Sequence, residues 1–115
     1  MSKLKIDILK ESKGSILFVS SITAMEAFGA PVDYSTAKTA IAALSKNLAR
    51  KLSPNIRVNV IAPGNVYFKG GSWDEKIKLN EEQVLKSISS SVPMKRFAEP
   101  EEIADAALFL SSNRA

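Results

Sequence analysis

The chain contains no cysteine and no histidine. Without cysteine there is no disulfide, no thiolate nucleophile and no cysteine-held zinc. Without histidine the usual general base and the commonest metal ligand are gone, which excludes a serine–histidine–acid triad. Aromatic residues make up only 7%, with a single tryptophan. The formal charge is +4, but it is scattered. Lys3, Lys5, Lys10 and Lys13 crowd the amino end with Asp7 and Glu11 between them. No basic run of the kind used in nucleic-acid grooves is present. No apolar stretch approaches the roughly 20 residues that span a bilayer, and the first residues are polar, unlike a secretory leader. The expectation is a cytoplasmic protein with no metal site, no membrane contact and no nucleic-acid partner.

What is present is globular. The 115 residues are 45% hydrophobic and 24% charged, which suits one small domain. Residues 3 to 12 carry Leu4, Ile6, Ile8 and Leu9 among charges, the pattern of the end of an amphipathic helix, with Lys13-Gly14 as its stop. Ile16-Leu17-Phe18-Val19 is apolar on both faces and reads as a buried parallel strand. Residues 22 to 30 read as a loop. Pro31 suits a helix start and Asp33 the positive end of its dipole, so a helix is expected to about residue 52. Its many alanines predict burial on more than one side. Residues 56 to 61 alternate with heavy β-branching and form a second strand. Residues 65 to 95 read as a long excursion with short helices near 73–79 and 81–89. Pro100-Glu101-Glu102 opens a last helix, with Ile103, Ala106, Ala107 and Leu110 on one face. A strand–helix–strand unit implies adjacent parallel strands and a right-handed crossover. The fold class is therefore α/β, a piece of a larger doubly wound parallel sheet.

Three residues carry the chemistry. Tyr34 and Lys38 stand four apart in Tyr34-Ser35-Thr36-Ala37-Lys38, and positions i and i+4 share a helix face. A free phenol ionises near pH 10 and is a poor base at neutral pH. A cation one turn away attracts the negative charge left when the proton departs. Ser21 ends the first strand thirteen residues before Tyr34. Ligands of open parallel sheets bind at the carboxyl ends of strands. Ser21 and Pro63-Gly64 occupy two such ends. Ser20 is the local rival of Ser21.

Ser21, Tyr34-Ser35-Thr36-Ala37-Lys38, Arg57-Val58-Asn59-Val60-Ile61-Ala62-Pro63-Gly64, Arg96-Phe97-Ala98-Glu99-Pro100-Glu101-Glu102-Ile103-Ala104 and Phe109-Leu110-Ser111-Ser112 together resemble the short-chain dehydrogenase/reductase family. The order and spacing match along essentially the whole chain. The resemblance implies a partial Rossmann-like fold, residues 1–115 being the carboxyl-terminal half of one domain with residues 65–95 as a substrate lid. It implies an oxidoreductase that uses NAD or NADP on a small carbonyl or alcohol substrate. Tyr34 would then move the proton, Ser21 would bind the developing alkoxide, and Lys38 would supply charge and hold the nicotinamide ribose. Pro63, Gly64 and the main chain of Val66 would meet the carboxamide. Phe68 stands where many members carry a hydroxyl residue, and Trp73 is expected to pack on the body or on the ligand. The Ala-rich helix at 32–52 resembles the family's subunit-packing helix and implies a homo-oligomer. The family's glycine-rich diphosphate turn and its catalytic asparagine are not in this sequence, so a fragment, a truncated product or an excerpt of a longer chain is expected.

Overall fold

The computed structural model describes residues 3–115, which form two compact units. The first comprises residues up to Pro63 together with 106–115, and the second residues 64–105.

In the first unit, helix α1 (Lys3–Glu11) leads into strand β1 (Ser15–Val19), then a single 3-10 turn (Ile22–Ala24), helix α2 (Val32–Leu52) and strand β2 (Arg57–Ile61). The strands pair in parallel, from Ser15 beside Arg57 to Val19 beside Ile61. This is the expected crossover unit. Ile16, Leu52 and Ile56 are buried together, with Ile6, Leu9, Phe18, Leu48 and Val58 packed around them. Each fully buried isoleucine or leucine contributes about 1.5–3 kcal/mol.

The stop of α1 is built differently from its sequence signal. Gly14 N–H donates to the Leu9 carbonyl at 2.8 Å and Lys13 N–H to the Lys10 carbonyl at 3.3 Å. That is the pair of hydrogen bonds of a Schellman ending. The left-handed residue in it is Lys13, at φ 51°, not the glycine. Gly14 serves for space, since a Cβ there would come within 2.6 Å of Leu9 Cδ2.

Helix α2 starts where Pro31 presets the chain, with Asp33 in its first turn and Arg50 and Lys51 in its last. The expectation that it is buried on more than one side is corrected. Only Ser45 and Leu52 are buried, while Val32 is 83% and Leu44 48% exposed. Ala37, Ala40 and Ala43 are exposed, and Ala42 and Ala49 are half-buried. Arg57, at the start of β2, donates to the carbonyls of Leu110 and Ser112 at 2.9 and 3.0 Å. These are end-of-helix carbonyls, where a cation is favoured.

In the second unit a parallel bridge joins Val66 to Ala98. Helix α3 (Ser72–Ser91) breaks at Asn80, where φ is −160° and ψ 87°. The Asn80 Oδ1 accepts from Gln83 N–H at 3.1 Å, capping the second segment as asparagine does at a helix start. The two short helices foreseen at 73–79 and 81–89 are thus the two arms of one kinked element. Trp73 packs edge-on against Phe97, centroids 5.2 Å apart, with Lys76 Nζ 4.4 Å from its ring centre. Asp74 is buried and accepts from Tyr67 Oη and Gly70 N–H, both at 2.9 Å. Those bonds, the Gly70 amide first, hold the carboxyl below its ordinary range, and the bond from Tyr67 pushes that phenol up. The Phe68 ring lies over Gly71, so close that a Cβ there would meet it at 2.8 Å.

Helix α4 (Pro100–Ser111) opens with a reciprocal cap. Glu102 accepts from Glu99 N–H at 2.8 Å and from both terminal nitrogens of Arg96 at 2.8 and 2.7 Å. The Arg96 bonds first, then the Glu99 amide, hold the Glu102 carboxyl at about 2 against an ordinary 4.5.

Two predictions concern these devices. Lys13→Gly relieves a left-handed side-chain residue and should stabilise the fold by about 0.5–1 kcal/mol, while Gly14→Ala should destabilise it. Urea unfolding of both variants checks this, and equal midpoints would refute the assignment of Lys13 as the left-handed residue. A carboxylate whose pKa is lower folded than unfolded adds stability above its unfolded pKa, and loses it as pH falls through the folded one. Stability should therefore drop between about pH 4.5 and about pH 2, and Glu102→Gln should flatten that drop. The pair is about half exposed, at 48% and 44%, so the effect is small and weakens further in salt. Unfolding midpoints measured across this range in both proteins decide it.

Candidate active site

The site begins where β1 and β2 end. The ladder runs two residues past the strands: Ser20 N–H donates to the Ile61 carbonyl at 2.8 Å and Ile22 N–H to the Pro63 carbonyl at 3.1 Å. Ser20, Ser21 and Pro63 are thereby held at the carboxyl edge of the sheet, where open parallel sheets bind ligands.

Helix α2 passes the same edge and is tied to it through Lys38. The Lys38 Nζ donates to the carbonyl of Val19, the last residue of β1, at 3.1 Å. Ser20 Oγ donates to the main-chain carbonyl of Lys38 at 2.7 Å. Both ends of one residue are therefore held by two consecutive residues of the strand end. The rival serine is spent on this bond. One turn earlier stands Tyr34, with Lys38 Nζ 5.7 Å from the centre of its ring. Tyr34 is 46% exposed.

Ser21 is only 7% exposed. It caps the 3-10 turn in an extended conformation, and its Oγ accepts from Thr23 N–H at 3.2 Å and from Thr23 Oγ1 at 3.0 Å. Thr23 is a residue that the motifs did not single out. A hydroxyl two places after a strand-end serine is the signal that would have found it, because serine and threonine at this spacing form local turns.

The structure thus brings Lys38 against Tyr34, and Ser20, Ser21 and Pro63 to one sheet edge. Gly64 and Val66 belong to the second unit. There Ala98 N–H donates to the Asn65 carbonyl at 2.8 Å and Tyr67 N–H to the Ala98 carbonyl at 3.0 Å. Such a parallel bridge leaves the residue between, Val66, with its own N–H and C=O turned to the other side. Neither has a partner among the described residues.

Comparisons with known proteins agree on one family. A family model described as "Enoyl-(Acyl carrier protein) reductase" matches residues 1–115. A 3-oxoacyl-[acyl-carrier-protein] reductase FabG from Buchnera aphidicola is 35% identical over 109 residues, covering 94% of this chain and 42% of that protein. The solved structure of a short-chain dehydrogenase/reductase family oxidoreductase from Burkholderia thailandensis superposes with a TM-score of 0.80 at 34% identity, over 91% of this chain and 41% of that one. A structure titled "ElxO with NADP Bound" superposes with a TM-score of 0.81 at 26% identity, over 96% of this chain and 44% of that one. The chain thus spans less than half the length of these relatives.

The hydrogen bond from Ser20 to α2 is testable on its own. Ser20→Ala should lower unfolding stability by about 1 kcal/mol, the net worth of one buried hydrogen bond. A denaturation midpoint equal to that of the unaltered protein would show that this bond does not tie the helix to the strand.

Proposed function

The chain belongs to the short-chain dehydrogenase/reductase family, and from that membership we propose that it serves an NAD(P)-dependent oxidoreductase acting on a ketone or secondary alcohol. The observation that carries the proposal is the placement of Lys38, whose ammonium is fixed by the Val19 carbonyl and lies 5.7 Å from the Tyr34 ring centre.

Each unit carries groups suited to the nicotinamide end of such a cofactor. Lys38 Nζ spends one of three protons on Val19 and keeps two for ribose hydroxyls. The free main-chain pair of Val66 suits a carboxamide, which has one acceptor oxygen and a donor amide. Gly64 and Pro63 precede it as the expected backbone approach. When bound, the nicotinamide supplies or receives the hydride. Tyr34 Oη gives its proton to the carbonyl oxygen in reduction, and takes it back in oxidation. The Lys38 ammonium attracts the negative charge that develops on the phenol oxygen during that transfer. Ser21 donates a hydrogen bond to the substrate oxygen as it becomes an alkoxide.

The outer face of α2, with Val32 and Leu44 exposed, supports pairing with a second copy, so a homo-oligomer is part of the proposal. A second reading, a non-catalytic interaction module, rests on that same face.

The test is hydride transfer from NADPH or NADH to a panel of 3-ketoesters and cyclic ketones, in protein expressed from its complete reading frame. Tyr34→Phe should lower kcat by roughly 10²–10⁴-fold while the protein stays folded by circular dichroism. Turnover that survives the substitution would sink the proposed role of Tyr34. No turnover of any probe by the unaltered protein would favour the interaction module.

A further inference from the structure

Ser21 and Thr23 form a unit that none of the family motifs quoted above contains. The Ser21 oxygen has one proton to give and two lone pairs to fill. Both lone pairs are addressed by one residue: Thr23 N–H at 3.2 Å and Thr23 Oγ1 at 3.0 Å. The turn that makes this possible is the short 3-10 segment Ile22–Ala24, which folds Thr23 back over its own cap. Ser21 itself is 7% exposed, and no described residue receives its proton.

We propose that Thr23 is a positioning residue that fixes Ser21 as a hydrogen-bond donor and keeps its proton for the substrate oxygen. The inference rests on the reading of Ser21 given under the proposed function. A serine with an empty lone pair can rotate, accept a bond from water or ligand, and turn its proton away. With the backbone amide and the threonine hydroxyl both donating into it, the oxygen has no acceptor capacity left. Its O–H then has one remaining direction, outward. The two donations also place partial positive charge behind the oxygen, which makes its proton a better donor; hydrogen bonds in a chain polarise one another in this way. Thr23 touches neither substrate nor cofactor in this account. It acts only through Ser21.

The backbone amide stays in any variant, so the side chain alone is tested. Thr23→Val keeps shape and branching and removes the hydroxyl. Thr23→Ala removes it without β-branching, in case valine disturbs the turn. Thr23→Ser restores the hydroxyl without the methyl. In the complete protein, with NADPH and a turned-over 3-ketoester, Thr23→Val and Thr23→Ala should each lower kcat by roughly tenfold with KM within about twofold. That is the pattern for an interaction felt in the transition state only. Thr23→Ser should return kcat to within about twofold of the unaltered protein. Ser21→Ala combined with Thr23→Val should be no slower than Ser21→Ala alone, because the threonine has then lost the group it acts through. A rise in KM with kcat unchanged would mean that Thr23 only shapes the adjoining loop, and would overturn the proposal. So would a serine variant as slow as the valine one, or an additive double variant. If Tyr34→Phe retains turnover, the functional reading itself fails. If Tyr34→Phe is inactive and the Thr23 variants are unaffected, only the present inference fails.

Discussion

One residue of α2 is held at both ends by the end of β1, and the site depends on that arrangement. Lys38 gives its ammonium to the Val19 carbonyl and receives the Ser20 hydroxyl on its own carbonyl. Apolar contacts are non-directional and set the register of a helix on a sheet less sharply than hydrogen bonds do. Two hydrogen bonds to adjacent residues of a strand sharpen that register. They fix the height of the helix along the strand and the rotation of its inner face. Tyr34 sits one turn earlier on that face, so its position follows from the same two bonds. The core beneath, built from Ile16, Leu52 and Ile56, gives the layer its stability. The polar pair gives it register.

The second unit shows the same use of few polar groups for placement. Asp74 collects the Tyr67 hydroxyl and the Gly70 amide, which closes the turn from 67 to 74. Glu102 collects Arg96 and the Glu99 amide, which starts α4. In each case one carboxylate satisfies an otherwise orphaned backbone N–H and a side chain together. Each is held below its ordinary pKa by the bonds it accepts. Both turns are therefore stable at neutral pH and weaken in acid. The first part of residues 65–95 contains a turn clamped at Asp74.

Much of the fold was legible because its signals are local. Alternation and β-branching at 56–61, Pro31 before the long helix, and Pro100 with two acids before the last one each specify an element within a few residues. Asn80 hides in a polar run, yet its capping preference is what divides α3. The missed features are those decided by space. The stop at Lys13-Gly14 was legible, but not that Lys13 takes the left-handed turn while Gly14 leaves room beside Leu9. The alanines of α2 looked buried, but burial depends on how many strands lie beneath, which no helix pattern encodes. The closeness of Tyr34 and Lys38 was readable from helical spacing. The bond from Ser20 to Lys38 and those from Thr23 to Ser21 were not readable, since hydroxyls carry no pattern until their partners are placed.

That division has a simple cause. Successive residues leaving a strand point to opposite sides. With α2 packed on one side of β1, only one of two adjacent serines can reach the helix backbone. Ser20 is that one, and its hydroxyl is consumed by the Lys38 carbonyl. Ser21 is turned off the helix, into the 3-10 turn that follows. A single serine in this place could not both hold the helix and cap the turn that follows. The same logic bears on the choice of lysine at position 38. An ammonium carries three donors arranged about one point, so it can spend one on Val19 and still present two in other directions. A guanidinium is planar and fork-shaped, with its donors in one plane. It would keep the charge near Tyr34 but could not bind the strand end and keep donors pointing in other directions from the same atom. One nitrogen thus both ties the helix to the strand end and stands 5.7 Å from the Tyr34 ring centre, and its tetrahedral geometry is what allows both.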